Sequence, residues 1–144
     1  DVFWSRYADA PNEALYPFGY GLSYTSFEYS DLELAQSTLP LGEPVAVTVQ
    51  LTNSGAYAGS EVVQLYIRDR VASTIRPLKE LKGFQKVSLA AGEAQQLRFI
   101  LGPDELGFYS GDGRFQIEPG NFDVFVGGSS VDTLQASFEW LEVE

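Results

Sequence analysis

Cysteine, histidine and methionine are all missing from the 144 residues. Without thiols the chain has no disulfide, no thiolate nucleophile and no Cys-ligated zinc. Without imidazole it has no Ser-His-Asp triad and no histidine acid or base. No apolar run approaches the ~20 residues that cross a bilayer, so a membrane span is excluded. Basic residues are also scarce. Nine Lys and Arg against twenty Asp and Glu leave a net charge of −11, a sign that repels phosphate backbones and anionic lipid, so nucleic acid is not an expected partner.

What is present suffices for one stable domain. The chain is 44% hydrophobic, and a domain near this length buries about 68–70% of its unfolded surface without staples. The opening Asp1-Val2-Phe3-Trp4 carries neither an initiator methionine nor a charged-then-apolar leader, which sets the expectation that the chain is a piece of something longer. The few cations are unevenly placed: seven of the nine lie between Arg68 and Arg98 with only three acidic residues among them. That strip reads either as a solvated face or as a surface that docks on an acidic neighbour, where complementary potential fixes orientation more than strength.

Aromatic residues are concentrated at the start. Residues 1–26 hold seven of the twenty aromatics (Phe3, Trp4, Tyr7, Tyr16, Phe18, Tyr20 and Tyr24), and the remaining 118 residues hold thirteen. Pro11, Pro17, Gly19 and Gly21 interrupt any helical or strand period, so 1–26 reads as an irregular aromatic arm. Disordered linkers are poor in aromatics, each of which buries ~150–250 Å² when packed, so the arm should lie against a surface. That surface is either its own body or a neighbouring domain.

From residue 27 to 144 the period is two. Val45, Val47, Val49 and Leu51 alternate with Ala46, Thr48, Gln50 and Thr52, a strand with one wet face. Phe27 to Leu34, Glu61 to Ile67, Phe84 to Leu89, Gln95 to Leu101, Phe108-Tyr109, Phe115 to Ile117, Phe122 to Val126 and Leu134 to Trp140 add further strands. Ser110-Gly111-Asp112-Gly113 has hairpin-turn chemistry, and Pro103 to Leu106 allows one helical turn at most. The spacing predicts an all-β fold, an antiparallel β-sandwich of immunoglobulin or fibronectin type III-like form with seven or eight strands. Its expected core is Val47, Val49, Leu51, Val63, Leu65, Ile67, Leu97, Phe99, Phe122, Val124, Val126, Leu134 and Phe138, and Trp140 shares their parity.

Few chemical motifs survive inspection. A glycosidase needs two carboxylates, ~5–5.5 Å apart for retention or ~6.5–9.5 Å for inversion, and no pair among the twenty is singled out by spacing. Asp104-Glu105 and Asp112 are the nearest approach to calcium ligands, without the spacing of an EF-hand loop. Gly19-Tyr20-Gly21 starts like a dinucleotide fingerprint, but Tyr24 stands where the third glycine belongs. Gly21-Leu22-Ser23-Tyr24-Thr25 ends on Thr instead of the glycine of a nucleophile elbow. No cofactor is expected. Trp4, Tyr57, Tyr109 and Trp140 are candidates for stacking on sugar rings, which keeps an independent carbohydrate-binding module as the alternative.

The segment Tyr16-Pro17-Phe18-Gly19-Tyr20-Gly21-Leu22-Ser23-Tyr24-Thr25 closely resembles the one that opens the C-terminal fibronectin type III-like domain of glycoside hydrolase family 3 β-glucosidases. The likeness continues through Asn53-Ser54-Gly55, Gly59 to Tyr66, Arg76-Pro77 with Lys79, Leu81-Lys82-Gly83-Phe84, Gly92-Glu93, Glu118-Pro119-Gly120 and Phe122 onward. It covers about residues 7–140, with Ser26 where a second Thr is common, and no likeness is placed on residues 1–6. The resemblance implies a parent enzyme that is a retaining, exo-acting β-glucosidase or β-xylosidase whose nucleophile and acid lie in upstream domains, so no catalytic residue is expected here. It implies that Tyr16, Pro17, Phe18, Gly19, Tyr20, Gly21, Leu22, Ser23 and Tyr24 pack against the preceding catalytic domains of the same polypeptide. Export to the periplasm or outside the cell follows from the family alone. Glycines let such a segment turn sharply while its rings supply rigid contact area.

Overall fold

A computed structural model describes residues 25–70 and 79–142. In chain order the strands are β1 (Phe27–Leu34), β2 (Thr38–Pro40), β3 (Val45–Asn53), β4 (Gly59–Asp69), β5 (Glu80–Leu89) and β6 (Ala94–Leu101). A one-turn helix α1 (Pro103–Leu106) follows, then β7 (Phe108–Tyr109), β8 (Phe115–Gln116), β9 (Gly120–Gly127) and β10 (Thr133–Leu141). Among the described residues β1-β3-β6 form one sheet, β2-β10-β9-β4-β5 the other, and β7-β8 a small hairpin. This is the expected fibronectin type III-like sandwich.

The core lies between the two sheets because each strand is apolar on one parity. Along β3 every second residue is buried, from Val45 through Asn53. Leu97, Phe99 and Leu101 continue that layer, and Val63, Leu65, Ile67, Val124, Phe138 and Trp140 face them from the other sheet. The Phe122 ring stacks on Phe138 at 5.2 Å and meets Trp140 edge-on at 5.5 Å. The Trp140 indole N–H donates to the Glu43 carbonyl at 2.9 Å, so burying the largest side chain leaves no orphan donor.

Three details depart from the sequence pattern. Leu134, expected in the core, is half-buried and packs on its margin near the start of β10. The short β2 was not expected, and it runs parallel to β10, so one pair breaks the antiparallel rule. Pro40 fits there because an edge strand has no inner ladder bond to lose. Finally, β5 begins at Glu80 instead of Phe84, with a register shift opposite Leu65 and Tyr66.

Candidate interdomain docking site

The described body begins at Thr25, the residue that follows the aromatic segment, and Asn53 holds it. Asn53 ends β3 with its side chain fully buried. Its Oδ1 accepts from the Thr25 hydroxyl at 2.5 Å and from the Gly55 N–H at 3.0 Å. Its Nδ2 donates to the carbonyls of Tyr57 at 2.8 Å and Leu89 at 3.1 Å. The backbone N–H of Asn53 donates to the Glu93 carbonyl, and its own carbonyl accepts from Gly92. One buried amide thus ties the chain entry, the β3–β4 loop and the end of β5 together with every polar group satisfied, as burial requires.

The glycines beside it are there for room. A Cβ on Gly55 would lie 2.2 Å from the Thr25 hydroxyl oxygen and 2.7 Å from the Ser26 nitrogen, and one on Gly59 would lie 2.5 Å from the Thr25 methyl. Asn53-Ser54-Gly55 reads in the sequence as turn chemistry; its larger task is to seat Thr25. The nine segment residues themselves, Tyr16 to Tyr24, lie outside the described residues, as do Trp4 and Arg76.

At the same end a second polar pair spans the two sheets. The Tyr29 hydroxyl on β1 donates to Glu61 on β4 at 2.8 Å. Burial pushes the Glu61 carboxyl above its ordinary value of 4.5 and the Tyr29 bond offsets part of that rise. Burial, then the charge of Glu61, drives the Tyr29 hydroxyl far above the usual phenol range. Glu61 is a carboxylate with a raised value, yet its hydrogen-bond partner is a phenol and not the second carboxylate that glycoside hydrolysis needs.

The outer face of the five-stranded sheet carries a cationic cluster that the sequence did not reveal. Asp123, 1% exposed, is held by Arg68 at 3.0 Å and Arg70 at 2.9 Å, and accepts from the Ser137 hydroxyl at 2.9 Å. Burial alone would raise its pKa, but the bonds from Arg70, Ser137 and Arg68 outweigh this and hold it below 3.8. Beside it the Lys79 ammonium sits 4.1 Å over the Phe125 ring, with the Arg68 guanidinium at 5.1 Å. The expected basic strip is therefore divided. Arg68, Arg70 and Lys79 gather on this face, while Arg98 alternates with the buried Leu97 and Phe99 on β6 of the other sheet.

The remaining candidates do not assemble. Trp140 is core, and Tyr57 and Tyr109, 58% and 72% exposed, sit at opposite ends of the sandwich. Their separation follows from register: Thr52 pairs Ala94 at the Tyr57 end, while Val45 pairs Leu101 at the end that leads to Tyr109. Glu105 caps α1 by accepting from Gly102, and Asp112 accepts from Ser110 and the Arg114 N–H. Among the described residues no three Asp or Glu side chains gather as a metal would need.

A fibronectin type III-like domain family matches residues 61–130. The periplasmic β-glucosidase of Salmonella typhimurium is 43% identical over 139 residues, which is 96% of this chain and 18% of that protein. β-Glucosidase BoGH3A of Bacteroides ovatus is 39% identical over 132 residues, 90% of this chain and 18% of the relative. A solved β-glucosidase structure from Erythrobacter marinus superposes with a TM-score of 0.79 at 43% identity, covering 88% of this chain and 17% of that one. The chain belongs to the fibronectin type III-like domains of glycoside hydrolase family 3. This fibronectin type III-like domain spans under a fifth of its relatives' length, 18% of the Salmonella enzyme. No helix among its described residues is long and apolar enough to cross a membrane.

Proposed function

We propose that this domain is a non-catalytic accessory unit of a β-glucosidase-like glycoside hydrolase that cleaves terminal β-linked sugars. It packs on the catalytic domains of the same polypeptide and stabilises them, with Tyr16, Pro17, Phe18, Gly19, Tyr20, Gly21, Leu22, Ser23 and Tyr24 as the contact segment. The observation that carries this is the Thr25–Asn53 anchor. A buried, fully bonded amide holds Thr25, the residue that follows the aromatic segment, on the sandwich. Pre-organising a contact segment lowers the ordering cost of docking it.

A Salmonella relative named as periplasmic supports export to the periplasm or beyond for the parent enzyme. The independent carbohydrate-binding module has less support, since Tyr57 and Tyr109 present no common stacking platform. Assay of the 144-residue chain on an aryl β-glucoside tests the reading. No turnover is expected from the chain, with hydrolysis by the complete natural polypeptide; turnover by the chain itself contradicts it.

A further inference from the structure

The motif Leu81-Lys82-Gly83-Phe84 contains more apolar surface than the core consumes. Gly83 lies against the Phe99 ring, which a Cβ would meet at 3.4 Å, yet Leu81 and Phe84 are 50% and 66% exposed. Residues three apart on a regular strand point to opposite faces. Here Leu81 pairs Tyr66, Gly83 pairs Leu65 and Phe84 pairs Gln64, so Lys82 is an extra residue in the β5 edge. Such a bulge re-aims side chains, and this one puts Leu81 and Phe84 on the same outer face. Val62 and Lys86, paired across β4 and β5, extend that surface, and Lys79, Arg68 and Arg70 border it.

We propose that this outer face of the five-stranded sheet is a docking surface for an acidic, apolar-centred patch on another domain of the same polypeptide. This rests on the accessory-domain reading above. Charge selects the occupant. The face carries four cations, Arg68, Arg70, Lys79 and Lys86, against two carboxylates, Asp123 held by two guanidiniums and Glu139 between the inward Phe138 and Trp140, a cationic surplus on a chain that is −11 as a whole. A second copy docked face to face by a two-fold axis would set these cations against one another. An acidic neighbour meets them with the opposite sign, and Leu81, Phe84 and Val62 supply the dry centre that a stable contact requires.

Zero-length carbodiimide cross-linking of the complete natural polypeptide at low salt, read by mass spectrometry, tests this. Amide links from Lys79 or Lys86 to Asp or Glu outside these 144 residues are expected. Their yield should fall about tenfold in the double variant Leu81→Ser, Phe84→Ser, as truncation of central anchors predicts. The unfolding midpoint of the 144-residue chain should not move, because both side chains are exposed. Links confined to carboxylates within the chain, links between copies in a mixture of isotope-labelled and unlabelled protein, or a yield indifferent to the double variant would each overturn the proposal. Aryl β-glucoside hydrolysis keeps the two claims apart. An active complete polypeptide lacking the Lys79 and Lys86 links removes the docking face alone, whereas turnover by the 144-residue chain removes the reading beneath it.

Discussion

The Thr25 hydroxyl donates to the Asn53 side-chain oxygen across 2.5 Å, joining the first described residue to the end of β3, 28 positions later. The same Asn53 amide holds the carbonyls of Tyr57 and Leu89. Removing it strands those partners in a buried site, where each unmet group costs about 1–3 kcal/mol. We expect Asn53→Ala to lower the stability of the chain by about 3 kcal/mol in urea denaturation. Thr25→Val, which keeps the methyl against Gly59, should cost about 1 kcal/mol. If Asn53→Ala is no worse than Thr25→Val, the hub is not shared in this way.

Glu61 and Asp123 should give opposite pH dependences. The folded pKa of Glu61 lies above 4.5, so its contribution is fully present below that pH and is lost as pH rises through the folded value. Glu61→Gln keeps an acceptor for Tyr29 and removes the charge. The variant should therefore be more stable than the native chain at pH 7, with the gain vanishing below pH 4.5.

Asp123 runs the other way. Its folded pKa is held below 3.8, so its stabilisation is present above that value and is lost as pH falls through the folded pKa. Asp123→Asn should cost about 2 kcal/mol at pH 7, less than the about 3–5 kcal/mol for breaking a fully buried pair, because Arg68 and Arg70 are 35% and 49% exposed. That cost should shrink in acid. Denaturant titrations of both variants at several pH values separate the two groups.

Most of the sandwich was legible because burial on one face imposes alternation. Val45 to Leu51 is the plainest case, and Trp140 followed from the parity of Leu134, Ala136 and Phe138. β2 was not legible, since three residues with one buried side chain, Leu39, have no period, and their parallel partner lies at the far end of the chain. The bulge at Lys82 hid the first half of β5 by breaking its alternation. Asn53 read as a turn residue, because a sequence cannot distinguish an exposed turn amide from a buried hub. Asp123 drew no reading from the sequence, since its partners Arg68 and Arg70 are over fifty positions away. The aromatic segment, by contrast, was conspicuous from composition alone.

Core packing makes a sharper stability test. Phe122 lies between Phe138 and Trp140, and Phe122→Ala should cost about 4 kcal/mol, as for other large-to-small core changes. Val131, 88% exposed in the β9–β10 loop, is the control: Val131→Ser should stay within about 0.5 kcal/mol. Equal losses in both would contradict the assigned core.

The central claim is that the aromatic segment serves a neighbouring domain and not its own sandwich. The most direct measurement is the unfolding midpoint of the 144-residue chain carrying Phe18→Ser and Tyr20→Ser, set beside the thermal inactivation of the complete natural polypeptide with the same changes. The account predicts an unmoved midpoint for the chain and faster loss of β-glucoside hydrolysis for the complete polypeptide. A midpoint that drops in the chain alone, with inactivation of the complete polypeptide unaltered, would contradict it.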